Sequence, residues 1–505
     1  MVESEEWVTS PDSYNKPKEE ILKQKRSHVS QYRATHMQLP LLIATLLKWF
    51  PNLGEESEKL GGRLVPYLEP MPVFSGKPFI IPSYPSGQVP VTVAMRRPVF
   101  ETLVRRLIMN SCKNVRYFPG TVVGLTKDLP NSNAVTGVRI HTSEKQNIVL
   151  SATLVVDCTG SAFAGLRWLK ELATSEKNNR ALEQLDNLRV TYNPKQSYHT
   201  CEFDISDELD KQLEKYGYPY WRSSNSQYAI LPDPKMDNKL VGILRRDKNT
   251  LEILVGGWGV TEEISNIDGI RTYISSIKLY KPHPAWVYKT LDLLEEYGAP
   301  MRIDKSRLGI SAYIQYHLYD YMPSNFIALG DSVVTLNPIR GFGTTKACMG
   351  ALVLSGFLDK CEPSATDRLP DDFSKRFWKR HAACIGPNWI SYKADDYDYE
   401  TTTPSKGDNP KTLNKFQKKF GGWLLELGLK EGYNDVAATA SYVQNYLAPP
   451  TDLFTPKYYV LSNTMASVGL VRVLQIPAYQ EPAFCLYEGR TEKASLLSYP
   501  VESGS

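Results

Sequence analysis

Residues 326–346, FIALGDSVVTLNPIRGFGTTK, constrain the chain more than any other stretch. Four apolar residues, Phe326 to Leu329, run into Gly330-Asp331. Asn337-Pro338 follows, then Gly341 and Gly343, then an apolar stretch reaching about residue 359. The pattern predicts a short buried strand, a turn that places a carboxylate beyond the sheet, and a helix entered through glycines. An ionised carboxylate only accepts hydrogen bonds, so Asp331 in that position suits the hydroxyls of a sugar or sugar alcohol. Glycines at 341 and 343 remove side chains where a flat ligand touches backbone. The helix aims free N–H groups and its positive end at the same place, which favours a group that becomes anionic. A tight strand–loop–helix turn with glycine for geometry alone fits the same letters.

A second stretch has similar grammar. NIVLSATLVVDCTG ends in Val155-Val156-Asp157, with Thr159-Gly160 as the turn. A buried β-run closing in small residues is how α/β sheets present backbone to a ligand. RRPVFETLVRRL, from Arg96, reads as a helix with Pro98 at its start and Phe100, Leu103, Val104 and Leu107 on one face. Arg96 and Arg97 then sit at the helix entrance, where the dipole disfavours cations, and this points to an anion close by. A solvated surface pair is the alternative.

From about residue 186 the pieces LRVTYN, HTCEFDI, QYAILPD, KLVGILRRD and LEILVGGWG alternate as an antiparallel sheet does. YGYPYWRSSNSQY is dense in aromatics. Tyr218, Tyr220, Trp221 and Tyr228 suit the lining of a pocket for an apolar or aromatic ligand, or equally plain sheet packing. Helices are expected near 267–278 and 284–297 and in the tail. The resulting division is 1–185, 186–325 (β-rich), 326–360 (the strand–turn–helix) and 361–505 (mainly helical).

Several classes are disfavoured. The net charge of +4 comes without a concentrated basic run, so nucleic acid is not an expected partner. Seven cysteines are scattered without CxxC spacing, which fits free thiols and a reducing compartment. The seven histidines form no ligand pair, so no metal is expected. There is no nucleophile elbow, phosphate loop, signal-peptide pattern or apolar run of membrane-spanning length. A cytoplasmic protein is expected, with peripheral membrane contact through apolar C-terminal helices compatible with the sequence.

A flavin satisfies the opening stretch: its ribityl chain offers hydroxyls, and its N1–C2=O edge carries the charge on reduction. The stretch resembles the second FAD motif of the flavoprotein monooxygenase superfamily, in the branch of squalene epoxidases and geranylgeranyl-reductase-like proteins. VESEEW is similar to the acidic end of the second Rossmann strand, LVVDCTG to the VVDATG strand, and Arg97-Pro98 to the start of a helix carrying a pyrophosphate-contacting Arg. Gln31 and His36 resemble a Q-x-x-x-x-H element.

The resemblance implies an α/β fold: a Rossmann-like FAD-binding domain, an inserted antiparallel β-rich substrate domain and a helical C-terminal region. It implies that Asp331 holds the ribityl hydroxyls, that Pro338, Gly341 and Gly343 face the flavin ring, and that Arg97 approaches the pyrophosphate. It also implies that Asp157 and Gly160 lie beside the FAD-binding strand crossing and that Glu3, with Glu5 as a rival, is the acid that binds the adenosine ribose. Two features depart from the pattern. The G-x-G-x-x-G unit expected ahead of VESEEW is not in the sequence, and Phe342 and Thr344 stand where the family has Gln and Met. Arg340 is unusual so close to a flavin; it suits anionic reduced flavin, a substrate carboxylate or solvent.

The implied function is an FAD-dependent monooxygenase that uses NAD(P)H and O2 to hydroxylate or epoxidise an apolar or aromatic small molecule, in specialised metabolism. The alternatives are a family member that no longer binds FAD and is non-catalytic, and a flavin-dependent halogenase, dehydrogenase or reductase. No catalytic side chain is assigned from sequence.

Overall fold

The computed structural model describes residues 1–455 apart from 27–28, 30, 68–83, 85–88, 128–131, 143, 145, 217–220, 223–225, 362–367, 429 and 431. The strands that position the site are β1 (Val2–Glu3), β2 (Phe118–Pro119), β3 (Val155–Asp157), β4 (Gln196–Asp204), β5 (Ser226–Ile230), β6 (Lys239–Arg245), β7 (Thr250–Trp258), β8 (Met301–Arg307) and β9 (Phe326–Ala328). The helices are α1 (Pro40–Trp49), α2 (Arg97–Ser111), α3 (Ala164–Ser175), α4 (Phe342–Leu358) and α5 (Phe373–Asp396). The architecture is mixed α/β, as expected.

Two parallel pairs matter most. β1 pairs with β2, Glu3 opposite Pro119. β3 pairs with β9, Phe326 opposite Val155 and Ala328 opposite Asp157. Parallel pairing makes both strands of the second pair end at the same edge. Asp157–Gly160 and Gly330–Asp331, 170 residues apart in sequence, therefore emerge side by side. Phe326, Ile327 and Ala328 are fully buried, as expected of a strand covered on both faces. Helices α3, α4 and α5 pack around this pair through Leu166, Phe342, Phe377 and Trp389.

Strands β4 to β8 form one five-stranded antiparallel sheet in the order β5-β6-β7-β4-β8. Side chains alternate between its faces. Cys201, Phe203, Ile243, Ile253 and Val255 point to one side, where helices Asp207–Tyr216, Ile267–Ser275 and Ala285–Glu296 supply Leu209, Leu213, Ile274 and Leu291. Gln196, Tyr198, Leu240, Gly242, Leu244 and Leu254 line a cavity instead. In β7, Gly256 lies against β4: an added Cβ would fall 2.5 Å from Tyr198 Cα.

The polar segment near the start of the chain carries a short helix, Lys18–Lys23. Helix α5 is 24 residues long with Pro387 inside it. An internal proline removes one backbone bond and costs roughly 3 kcal/mol or more. Burial of Phe373, Phe377, Trp378, Trp389 and Tyr392 along the same helix offsets that cost, each side chain contributing about 1.5–3 kcal/mol. No helix among the described residues is long and apolar enough to cross a membrane.

Candidate functional site

The site is built at the shared edge of β3 and β9 and the first turn of α4. Asp157, only 1% exposed, is spent on structure. Its Oδ1 accepts from Thr159 N at 2.8 Å and its Oδ2 from Gly165 N at 2.8 Å, capping the first turn of α3. Ser332 Oγ donates to Asp157 at 3.3 Å and accepts from Gly160 N at 2.8 Å. One carboxylate thus ties the two strand-end turns together. Gly160 itself has φ +71 and nothing within 4 Å of an added Cβ, so open space adjoins its backbone.

Asp331 is half-exposed at the end of β9, and its Oδ1 meets Lys346 Nζ at 2.6 Å. Lys346 belongs to α4, and its side chain is only 3% exposed. Nothing in the spacing of residues 326–346 marks Lys346 as this partner, although it closes the same stretch. A carboxylate has about four lone-pair sites, so the ion pair leaves Asp331 acceptor capacity.

Between them runs the turn Asn337–Gly341. Asn337 Oδ1 accepts from Ile339 N at 3.0 Å, and Gly341 N donates to Pro338 O at 2.8 Å. Gly341 has φ +67, and a Cβ there would lie 3.2 Å from Met37 O. Both conformation and proximity select glycine. Gly343, in the first turn of α4, has nothing within 4 Å of an added Cβ. Beside it the hydroxyls of Thr344 and Thr345 are buried with no hydrogen-bond partner among the described residues. Phe342 faces away from this opening into the core, its ring 5.4 Å from Tyr392 and 5.0 Å from Tyr446.

Arg97 and His36, assigned to separate elements by the sequence, meet here. His36 Nε2 accepts from Arg97 Nη1 at 3.0 Å. Its Nδ1 then carries the proton and donates to Ala34 O at 2.7 Å. Burial, reinforced by the Arg97 charge, pushes His36 down to about 3, so the ring is neutral. Burial also lowers Arg97, against the pull of Glu101 and Asp331. Gln31 adopts φ +62 in the turn ahead of His36.

The anion sought for Arg96 belongs to the chain itself. The Arg96 guanidinium is buried and donates to Asp247 at 2.7–3.2 Å and to Glu202 at 2.9 Å. This corrects the surface-pair alternative for Arg96 and removes it from a ligand role. Glu3 is likewise engaged: Arg26 bridges it at 3.1 Å and Glu101 at 2.5 Å. Glu3 also accepts from Glu5 N at 3.1 Å, so the two rival acids share one local turn.

The cavity, of about 400 Å³, lies between the sheet and the turn. Pro338, Ile339, Arg340 and Gly341 form one wall; Gln196, Tyr198, Leu240, Leu244 and Leu254 form the opposite one; Tyr392 and Tyr446 lie at the C-terminal end. Arg340 pairs with Asp395 at 2.5 Å and lies over the Tyr392 ring. The expected aromatic lining is corrected. Trp221 and Tyr228 pack with the helices on the other face of the sheet. Trp221 Nε1 donates to Asp210 at 2.8 Å, and the Tyr228 hydroxyl meets His283 Nδ1 at 2.6 Å. Tyr218 and Tyr220 lie outside the described residues. Alternation along β5 sends Tyr228 to the helices and Ala229 to the cavity, a parity that the aromatic density of the segment does not reveal.

No protein-family model matches the sequence, and no characterised protein matches it by sequence. Solved structures do match by shape. The flavin-dependent brominase Bmp2 superposes with a TM-score of 0.52 at 13% identity, covering 88% of this chain and 90% of that one. A flavoprotein/dehydrogenase from Cytophaga hutchinsonii gives 0.50 at 13% identity, covering 87% and 90%. These likenesses carry the fold: the chain has the architecture of these flavoproteins over most of its length.

Proposed function

We propose that the chain is an FAD-dependent oxidoreductase acting on an apolar or aromatic small molecule, with monooxygenation as its reaction. One observation carries the reading. The glycine turn at the N-terminus of α4 adjoins the opening beside Gly343 and, through Pro338–Gly341, forms one wall of the cavity. A flat cofactor against that turn would therefore border the space where a substrate sits. The brominase and dehydrogenase likenesses support a flavin in this fold.

The residues present fit the cofactor. The first-turn N–H groups of α4 lie beside the space left open at Gly343, and the Thr344 and Thr345 hydroxyls of the same turn have no hydrogen-bond partner among the described residues. Asp331 would take ribityl hydroxyls with the acceptor sites Lys346 leaves it, and Lys346 fixes its direction. Arg97, held by neutral His36, is a cation that would approach a pyrophosphate. Glu3 would reach the adenosine ribose with Arg26 orienting it. Bound there, FAD would supply two-electron chemistry between NAD(P)H and O2, which side chains cannot provide. The chain contributes position and shelter: Asn337 shapes the turn, and the apolar sheet face excludes water.

The experiment is an absorption titration of the full chain with FAD, followed by NAD(P)H oxidation and O2 uptake with aromatic probes, with and without bromide. A resolved bound-flavin spectrum and substrate-stimulated oxidation without halogenated product are expected. A chain that takes up no FAD overturns the reading, and brominated product replaces monooxygenase by halogenase.

A further inference from the structure

Arg340 is the charged residue of the turn Asn337–Gly341, and that turn forms a wall of the cavity. A guanidinium carries five N–H donors in a planar fork. Asp395 meets it at a single oxygen, Oδ2, 2.5 Å away, and that oxygen accepts no hydrogen bond of normal geometry. The Tyr392 ring lies beneath, its centroid 5.3 Å from Arg340 Cζ. No other acceptor among the described residues engages Arg340, and its side chain stays 42% exposed. The fork therefore keeps uncommitted, accessible donors on the cavity wall. Helix α5 brings more polar groups to the same cavity. Asn388 and Ser391 precede Asp395 at helical spacing and also line it. Asn388 is spent: it donates to Cys384 O at 2.9 Å and accepts from the Tyr446 hydroxyl at 3.0 Å. Ser391, one turn before Asp395, makes no hydrogen bond through its hydroxyl among the described residues.

We propose that Arg340 anchors the carboxylate of an otherwise apolar or aromatic acid, with Ser391 as a second donor. Shape and charge select the class. The planar fork matches a planar carboxylate in two parallel hydrogen bonds. Two carboxylates, Asp395 and Asp396, stand near this one cation. The site therefore suits a monoanion held by directed hydrogen bonds and repels a dianion such as phosphate. A neutral carbonyl would take the hydrogen bonds but leave the charge of the guanidinium unused. The apolar remainder of the acid would lie against Leu240, Leu244 and Leu254 on the facing wall, where nothing charged opposes it. The inference rests on the reading of the cavity as the substrate site and specifies what that site takes.

The test uses 2-naphthoate and 2-naphthamide, planar probes of nearly the same size that differ in charge. Binding to the full chain is measured by calorimetry at pH 7 beside an FAD titration of the same sample. The wild type is expected to bind the acid about tenfold or more tightly than the amide. Arg340→Gln should abolish that preference while the amide still binds. Asp395→Asn keeps the guanidinium and removes the competing carboxylate, so it should widen the preference by about threefold. An ion pair that only holds the turn in place would not respond in that direction. Equal affinity of the wild type for both probes, or no binding of either, overturns the assignment. So does a preference that survives in Arg340→Gln, or one that stays unchanged or narrows in Asp395→Asn. A folded Arg340→Gln chain that loses FAD overturns it too, since Arg340 would then belong to the cofactor. Discrimination between the probes by a chain that takes up no FAD sinks the flavin reading and leaves the acid site standing.

Discussion

Asn337 donates from Nδ2 to Asp396 Oδ1 at 2.7 Å while its own Oδ1 holds Ile339 N at 3.0 Å. The cavity-lining turn is therefore fixed from the far end of α5. Asp396 gathers more than this one bond. Trp258 Nε1 of β7 donates to it at 2.9 Å and the Tyr192 hydroxyl at 2.7 Å. Its side chain is buried, and only a carboxylate, an acceptor without a donor, satisfies three donors at once. The sheet, the turn and the C-terminal helix meet on this one group.

Asp396→Asn should therefore loosen the turn without touching the cavity. The amide nitrogen would face a donor, leaving buried groups mispaired at a cost of about 1–3 kcal/mol. The expected outcome is a lower denaturant midpoint and weaker FAD uptake, read by chemical unfolding and by absorption titration. An unchanged midpoint would show that the three donors find other partners.

The two glycines of the turn should respond in opposite ways. Gly341→Ala forces a side chain into φ +67, beside Met37 O, and should destabilise by about 1–2 kcal/mol. Gly343→Ala meets nothing within 4 Å and sits in a helix, where alanine is favoured by up to about 1 kcal/mol. It should leave stability equal or higher. Because it fills the opening at the helix N-terminus, it should still weaken FAD binding. Gly343→Ala with undiminished FAD affinity would remove Gly343 from the cofactor site.

The ion pair of Asp331 and Lys346 is lopsided: the lysine side chain is 3% exposed and the aspartate 52%. Asp331→Asn strands a buried ammonium, whereas Lys346→Met removes the buried charge and leaves an exposed carboxylate. Breaking a pair by leaving its buried member alone is the costlier choice. Asp331→Asn should lower the melting temperature more than Lys346→Met does. Equal losses would mean that solvent reaches Lys346 after the substitution.

His36 predicts a pH dependence. Its folded value lies at about 3 against an ordinary 6.5. Between those values the unfolded chain binds the proton and the folded chain does not, so stability falls as pH drops from about 6.5 towards 3. His36→Gln should be less sensitive over that interval. Unfolding at pH 7, 5 and 4 measures it, with the difference between the two proteins isolating the histidine from the carboxylates. Parallel profiles would show that His36 gains a proton without cost.

Local chemistry determined much of this protein. A buried strand at Phe326–Leu329 was legible because four apolar residues precede a glycine; the strand ends one residue earlier, at Ala328, and Asp331 leaves the sheet as expected. The left-handed φ of Gly341 came from the structure, while Gly341 and Gly343 were legible as the glycine entry to a helix and Arg97-Pro98 as the opening of another. Those are properties of a residue and its neighbours along the chain, so the alternating strands of the β-rich segment were legible on the same ground.

What only the tertiary structure decided is which groups meet. Arg97 finds His36, Arg96 finds Asp247 and Asp331 finds Lys346. Trp221 and Tyr228 pass to the helix face while Gln196 and Tyr198 take the cavity. The parity of a strand is visible in sequence, but which face becomes a cavity depends on what packs against it. Helix α5 is the clearest case. Pro387 argues locally for a break, yet the helix continues to Asp396. Burial of its aromatic residues outweighs one lost backbone bond, a balance that exists only once the core has formed.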